Sequence, residues 1–197
     1  MKKMILSAIM MMATAGAFAQ HAVGSFTLQP RIGVNIANVT DFDEADPRIG
    51  LAAGAELEYQ VTDWLSLAGG AMYSMQGFKV DVFGSDATAK LDYLNIPIVA
   101  NFYILKGLAL KAGIQPGFKL SAKASSNDKD IELLDDDVKG FDLSIPVGLS
   151  YEYKNLVLDG RWNVGATKIL KDDVDVIEGS KAQNTVFQIT LGYKFGL

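Results

Sequence analysis

Residues 141–153 read Phe141-Asp142-Leu143-Ser144-Ile145-Pro146-Val147-Gly148-Leu149-Ser150-Tyr151-Glu152-Tyr153. A β-strand has a side-chain period of two. The odd-numbered positions therefore place Phe141, Leu143, Ile145, Val147, Leu149, Tyr151 and Tyr153 on one wholly apolar face. The even-numbered positions are polar, charged, proline or glycine. Seven or eight segments of the chain alternate in this way for longer than a soluble strand requires, and their polar faces carry both signs of charge. Behind a secretory start, that pattern predicts a small transmembrane β-barrel.

The start is secretory in form. Lys2 and Lys3 make a basic head, Met4 to Ala15 an apolar stretch, and Ala17-Phe18-Ala19 a small-x-small cleavage site. The expectation is a signal peptide over 1–19 and a mature barrel domain over 20–197, beginning at Gln20. No other apolar run approaches the ~20 residues of a membrane-crossing helix. A spanning structure must then be a closed barrel, because open strand edges are not tolerated in lipid.

Composition fits one domain. Without Lys2 and Lys3 the mature chain has 16 basic against 23 acidic residues, a net charge of −7. That argues against nucleic acid as a partner and against docking on an anionic membrane by overall charge. The chain has no cysteine, so disulfides and thiolate chemistry are excluded.

Eight strands follow from the alternation. They are read at Phe26–Ala37, Ile49–Tyr59, Trp64–Phe78, Lys90–Tyr103, Leu108–Leu120, Phe141–Tyr153, Leu156–Thr167 and Asn184–Phe195. Links after the second, fourth and sixth strands are two to four residues, including the hairpin signal Lys154-Asn155. The other four (38–48, 79–89, 123–140 and 168–183) are ten or more. Short turns at one end, long loops at the other and an even strand number define an antiparallel up-and-down outer-membrane barrel with both termini in the periplasm. Phe26, Tyr59, Trp64, Phe102, Tyr151, Tyr153, Tyr193 and Phe195 then form one interfacial girdle. Tyr73, Phe118, Phe141, Trp162 and Phe187 form the other.

A soluble lipocalin-like barrel would alternate too, with its apolar face inward. About forty apolar side chains are too many for the interior of eight strands. The polar-face charges also balance, with Arg31, Lys111, Lys119, Arg161 and Lys194 against Glu56, Glu58, Asp142, Glu152 and Asp159. A closed, desolvated lumen needs such pairing. Glycines 33, 50, 54, 70, 113, 117, 148, 165 and 192 share that face and would make room for Arg and Lys stems. A first hairpin symmetric about its loop sets Arg31 opposite Glu56, with Glu58 one inward position beyond; the same construction brings Lys119 towards Asp142. Pro30, Pro97, Pro116 and Pro146 fall inside strands, where bulges or ladder ends are expected.

Five pieces of the chain resemble the PorT-type outer-membrane β-barrel family of Bacteroidota. They are Gly33-Val34-Asn35, the run Tyr73 to Lys79, Tyr93-Leu94-Asn95-Ile96-Pro97, Gly113 to Gly117 and Gly192-Tyr193-Lys194-Phe195. The resemblance implies the fold, outer-membrane location and handling by the barrel-assembly machinery. It implies no catalytic activity.

Candidate chemistry is thin. The single histidine, His21, precedes the first strand, so Ser-His-Asp, Cys-His and zinc sites are excluded. Glu56 and Glu58 could serve acid–base work, but read more simply as counter-ions for Arg31. Sixteen of the 23 acidic residues fall in the four long connections. Asp128, Asp130 and Glu132 alternate as calcium ligands would, without the glycine and closing Glu of an EF-hand. The expectation is a non-enzymatic barrel without cofactor, acting as scaffold or surface-interaction protein. Its expected partners are outer-membrane lipid or lipopolysaccharide and other envelope proteins. The alternative is a transport element, a narrow pore or a subunit of a secretion or uptake complex.

Overall fold

The computed structural model describes residues 22–40, 45–82, 85–126, 129–131, 139–167 and 183–197. The predicted signal peptide and His21 lie outside them. Eleven strands follow one another: β1 (Phe26–Val39), β2 (Ala45–Thr62), β3 (Leu65–Val82), β4 (Ser85–Asn95), β5 (Ile98–Leu105), β6 (Leu108–Ser126), β7 (Lys129–Ile131), β8 (Phe141–Tyr153), β9 (Leu156–Gly165), β10 (Asn184–Tyr193) and β11 (Phe195–Gly196). They make eight staves. β4 and β5 are one stave interrupted at Ile96-Pro97, β10 and β11 one interrupted at Lys194, and β7 is a short addition to β6. Each stave pairs antiparallel with the next, and β10 and β11 pair with β1 to close the ring.

Burial is inside-out. Ile32, Trp162 and Leu191 are 59%, 55% and 52% exposed, whereas Arg31, Glu56 and Asp159 are 4%, 2% and 0%. The soluble-barrel alternative is thereby excluded, because its apolar face would be inside. From Phe141 to Tyr153 the outward apolar row covers about 40 Å of strand, which at a ~45° tilt is about 28 Å high. Aromatic contacts mark both ends of the band. Phe26–Tyr59, Trp64–Phe102 and Tyr193–Phe195 lie at the short-turn end, and Phe118–Phe141 at the other.

The strands outrun the sequence reading at the long-loop end. The expected connection over 79–89 is mostly ladder, since β3 and β4 pair continuously from Met72↔Asn95 to Val82↔Ser85. β2 and β6 also lengthen, so β2, β3 and β6 have 18, 18 and 19 residues against 13, 10 and 10 in β8, β9 and β10. One side of the wall therefore stands beyond the apolar band. At the other end the turns are tight, and Lys154 takes a left-handed φ of 57° between β8 and β9.

Of the four prolines expected at bulges or ladder ends, Pro97 stands at a ladder end between β4 and β5, and none of the four carries a bulge. Pairing lapses opposite Pro146, between Ala112↔Val147 and Gln115↔Ser144, with register unchanged on either side. The Ile96-Pro97 interruption likewise leaves the β3 register intact, from Met72↔Asn95 to Gly69↔Ile98. A missing N–H removes one rung without adding a residue. Register shifts fall at Gln60/Thr62, Asp92/Tyr93 and Tyr103/Leu105, and one more, at Pro47/Ala52, is bounded by the remaining proline.

Candidate functional site: the filled lumen

Inward parity brings long charged side chains from distant staves to one axis. Arg31 comes from β1, Glu56 from β2, Lys111 from β6, and Asp159 and Arg161 from β9. Arg161 clasps Glu56 with two hydrogen bonds, Nη1 to Oε1 at 2.6 Å and Nη2 to Oε2 at 2.8 Å. Arg31 Nη1 donates to the same Oε1 at 2.7 Å. Lys111 Nζ donates to Asp159 Oδ2 at 2.6 Å. Arg31 Nη2 and Arg161 Nε approach Asp159 at 3.1 and 2.8 Å. These last two contacts are charge pairs whose angles miss hydrogen-bond alignment, so the same atoms also count as buried without a hydrogen-bond partner.

A second cluster sits towards the short turns. Lys194 Nζ bridges Glu58 at 2.9 Å and Glu152 at 2.8 Å. Glu58 also accepts from Tyr103 Oη and Ser66 Oγ, both at 2.6 Å. The central cluster holds three cations and two carboxylates; the second holds one cation and two carboxylates. Together they are four against four. Each buried ion would cost several kcal/mol alone, and mutual pairing removes most of that cost.

Nearer the long loops the filling is mostly amides and hydroxyls, with Arg48 and Asp142 as its buried charges. Asn35 Nδ2 donates to Ser74 Oγ, Gln188 Nε2 donates to Asn35 Oδ1, and Arg48 Nη1 donates to the Gln76 carbonyl. Above this layer Leu91, Tyr93 and Ala122 form a small apolar cluster inside the wall.

Nine of the ten predicted lumen charges are buried on the inner face, and eight of them join the two clusters. The details differ from expectation. Arg31 stands opposite Gly54, and Glu56 opposite Gln29. The register is slipped by two from a symmetric hairpin, and the ion pair forms diagonally because arginine is long enough to reach. Glu58 belongs to Lys194. Asp142 pairs in register with Gly117, and its carboxylate accepts from Thr167 at 2.8 Å and Asn184 at 3.5 Å. Lys119, two residues beyond Gly117, faces Tyr93 and is half-buried. Arg48, assigned from sequence to a loop, is buried. It shares the parity of Gly54 and Glu56, which would have revealed it.

Glycines do flank the charges. Both register partners of Arg31 are glycine, Gly54 and Gly192, and Gly148 lies beside both Lys111 and Arg161. Backbone proximity is a second reason for them. A Cβ on Gly54 would lie 2.1 Å from the Ala71 carbonyl oxygen and 2.7 Å from Met72 Sδ. Gly54→Ala is expected to destabilise the barrel by about 1–3 kcal/mol through overpacking. A urea refolding titration in lipid measures it; no change would place this strand pair further apart.

Among the described residues no group of three or more His, Cys, Asp or Glu side chains could hold a metal ion. Asp128 and Glu132 lie outside those residues, and Asp130 is placed only by backbone pairing with Ser125. Two broad grooves, of about 460 and 470 Å³, lie against the outer wall. Leu149, Leu158, Trp162 and Ile189 line the first, and Ile32, Leu191 and Tyr193 the second.

The model of a family described as outer membrane protein beta-barrel domain matches residues 18–171. The chain belongs to that family. No curated protein matches it. Among solved structures it is similar to Ail, the attachment invasion locus protein of Yersinia pestis, at 15% identity and a TM-score of 0.53, covering 88% of this chain and 100% of Ail. Neisserial surface protein A is similar at 15% identity and a TM-score of 0.51, covering 86% and 97%. At such identities the likeness shows the fold, an eight-stave outer-membrane barrel. The protein is an integral barrel of the outer membrane, and the exposed apolar band is its lipid face.

Proposed function

We propose that this barrel is a closed, non-enzymatic element of the outer membrane that works as a scaffold or through its acidic long-loop surface. The observation that carries this reading is the network of eight paired charges in the lumen, in which Arg31, Lys111, Arg161 and Lys194 meet Glu56, Glu58, Glu152 and Asp159 across the bore. Eight strands leave an interior only wide enough for side chains to fill. A solute would have to part charge pairs that have little water to replace their partners. Reconstituted in a planar bilayer, the purified protein is expected to show no steady conductance. Stable open channels in the wild type would refute the closed lumen and favour a transport element.

The same reading includes a cleaved signal peptide over 1–19, periplasmic termini and membership of the PorT-type subgroup. The basic head with its Ala17-Phe18-Ala19 site, the three short turns beside the strand ends, and the Tyr93 to Pro97 segment support these points. Amino-terminal sequencing of protein from outer membranes is expected to begin at Gln20.

A further inference from the structure

The two faces of the wall exchange polarity at one level on three neighbouring staves. Below it, Tyr73 and Met75 of β3, Leu94 and Ile98 of β4 and β5, and Phe118 and Leu120 of β6 face outward, while Ser74, Gln76 and Asn95 are buried inside. Above it, Leu91, Tyr93, Ala89 and Ala122 are buried inside, and Lys90 and Lys123 take the outward positions. On β3 and β4 the parity is unchanged while the polarity reverses, and on β6 the extra residue Leu120 shifts the parity by one, so the surroundings change from hydrocarbon to water at this level. The row Tyr73↔Leu94↔Phe118↔Phe141 marks the upper edge of the lipid face. Next above it is Asp92, whose carboxylate accepts from Tyr73 Oη at 2.9 Å.

Immediately above that level three lysines converge. Lys90 of β4 is in direct register with Lys123 of β6. Lys79 of β3 is exposed and stands opposite Thr88, two residues from Lys90. Lys90 has a further contact within the protein. Like charges directly opposite one another are unfavourable in a sheet, and the mature chain is acidic overall. A register bulge at Asp92/Tyr93 puts the extra residue, exposed Leu120, directly beneath them.

We infer that Lys79, Lys90 and Lys123 form a docking site for the phosphate groups of an outer-leaflet glycolipid of the lipid A type, whose acyl chains run down the wall past Leu120 and Phe118. Ammonium groups just above an apolar belt meet phosphates at headgroup depth, and three together hold a multiply charged headgroup more tightly than one. This site rests on the barrel's outer-membrane placement and names a lipid partner for it. It is independent of whether the lumen is closed.

The test uses the full mature barrel in phosphatidylcholine nanodiscs doped with bisphosphorylated lipid A. Native mass spectrometry reads the lipid A retained after release into mild detergent. The triple variant Lys79→Gln, Lys90→Gln, Lys123→Gln is expected to lose retention by about tenfold or more. The pair Lys106→Gln, Lys154→Gln at the opposite end is expected to retain as the wild type does. Dephosphorylated lipid A is expected to bind wild type and triple variant equally weakly, and chelation with EDTA to leave wild-type retention unchanged. Heat-modifiable gel migration confirms folding of each variant. Should the triple variant not fold, the single variants Lys79→Gln and Lys123→Gln carry the measurement. Equal retention by wild type and lysine variants overturns the site, as does a loss with EDTA that the lysines do not affect. Failure of the barrel to insert at all would instead refute the membrane placement, and channel activity would refute only the closed lumen.

Discussion

Glu56→Ala is expected to cost the barrel about 3–5 kcal/mol, the scale on which removing one partner of a buried ion pair leaves the other uncompensated. Two guanidinium groups lose their acceptor at once, because Glu56 takes two hydrogen bonds from Arg161 and one from Arg31. The compensating change should therefore discriminate between them. Glu56→Ala with Arg161→Ala removes the side chain that is most dependent on Glu56 and leaves Arg31 and Lys111 with Asp159. It is expected to recover more of the loss than Glu56→Ala with Arg31→Ala. Refolding titrations in urea with lipid vesicles, read by heat-modifiable migration, give the comparison. Equal stability of Glu56→Ala and wild type would mean that water reaches the cluster and the lumen is not sealed.

Leu149→Arg is expected to cost about 2–4 kcal/mol, because position 149 is on the lipid face near mid-depth. Leu149 is 51% exposed and pairs with Leu110 on one side and Gly160 on the other. The penalty should fall with distance from the midplane, so Tyr153→Arg, at the aromatic rim of the same strand, is expected to cost about 0–1 kcal/mol. The same refolding titration measures both. Equal costs would mean that the outward band does not follow bilayer depth and that the apolar face meets something other than lipid.

Which way each side chain points was legible from the sequence because period-two parity is local and persists through a strand. Leu149 and Ser150, or Ile32 and Arg31, fall on opposite faces in the structure as the alternation predicts. Register was not legible, since it depends on loop geometry and on bulges that alternation does not reveal. The slip of Arg31 from Glu56 to Gly54 is one case. Strand length failed over 79–89 for another reason. Asp81, Gly84, Ser85 and Asp86 have turn-forming chemistry, yet the ladder continues to Val82↔Ser85, so tertiary pairing overrides propensity. The inner apolar cluster of Leu91, Tyr93 and Ala122 escaped notice because the sequence reading held one solvent constant along each strand. Lys90 and Asp92 share the outward parity of Leu94 and Ile98, and only a change from hydrocarbon to water accounts for both. The candidate charges were identifiable individually, whereas their grouping into two clusters required the closed ring.

The central cluster also straddles the seam where the first and last staves meet. Arg31 is on β1, beside β10, and its partner Asp159 is on β9, one stave beyond, as is Arg161, which reaches across to Glu56 of β2. An open sheet has no way to bring them together. Until the ends zip, Arg31 and Glu56 lie at one edge of the curved sheet while Asp159 and Arg161 lie at the other. Each rim of a half-assembled intermediate would keep its local pairs, Arg31 with Glu56 and Arg161 with Asp159, but lack the contacts across the seam, Arg161 with Glu56, Arg31 with Asp159 and Lys194 with Glu58, which form together when the seam joins. Closure of the ring and completion of the ion network are thus one structural event, and the last hydrogen bonds of Glu56 exist only in the closed barrel.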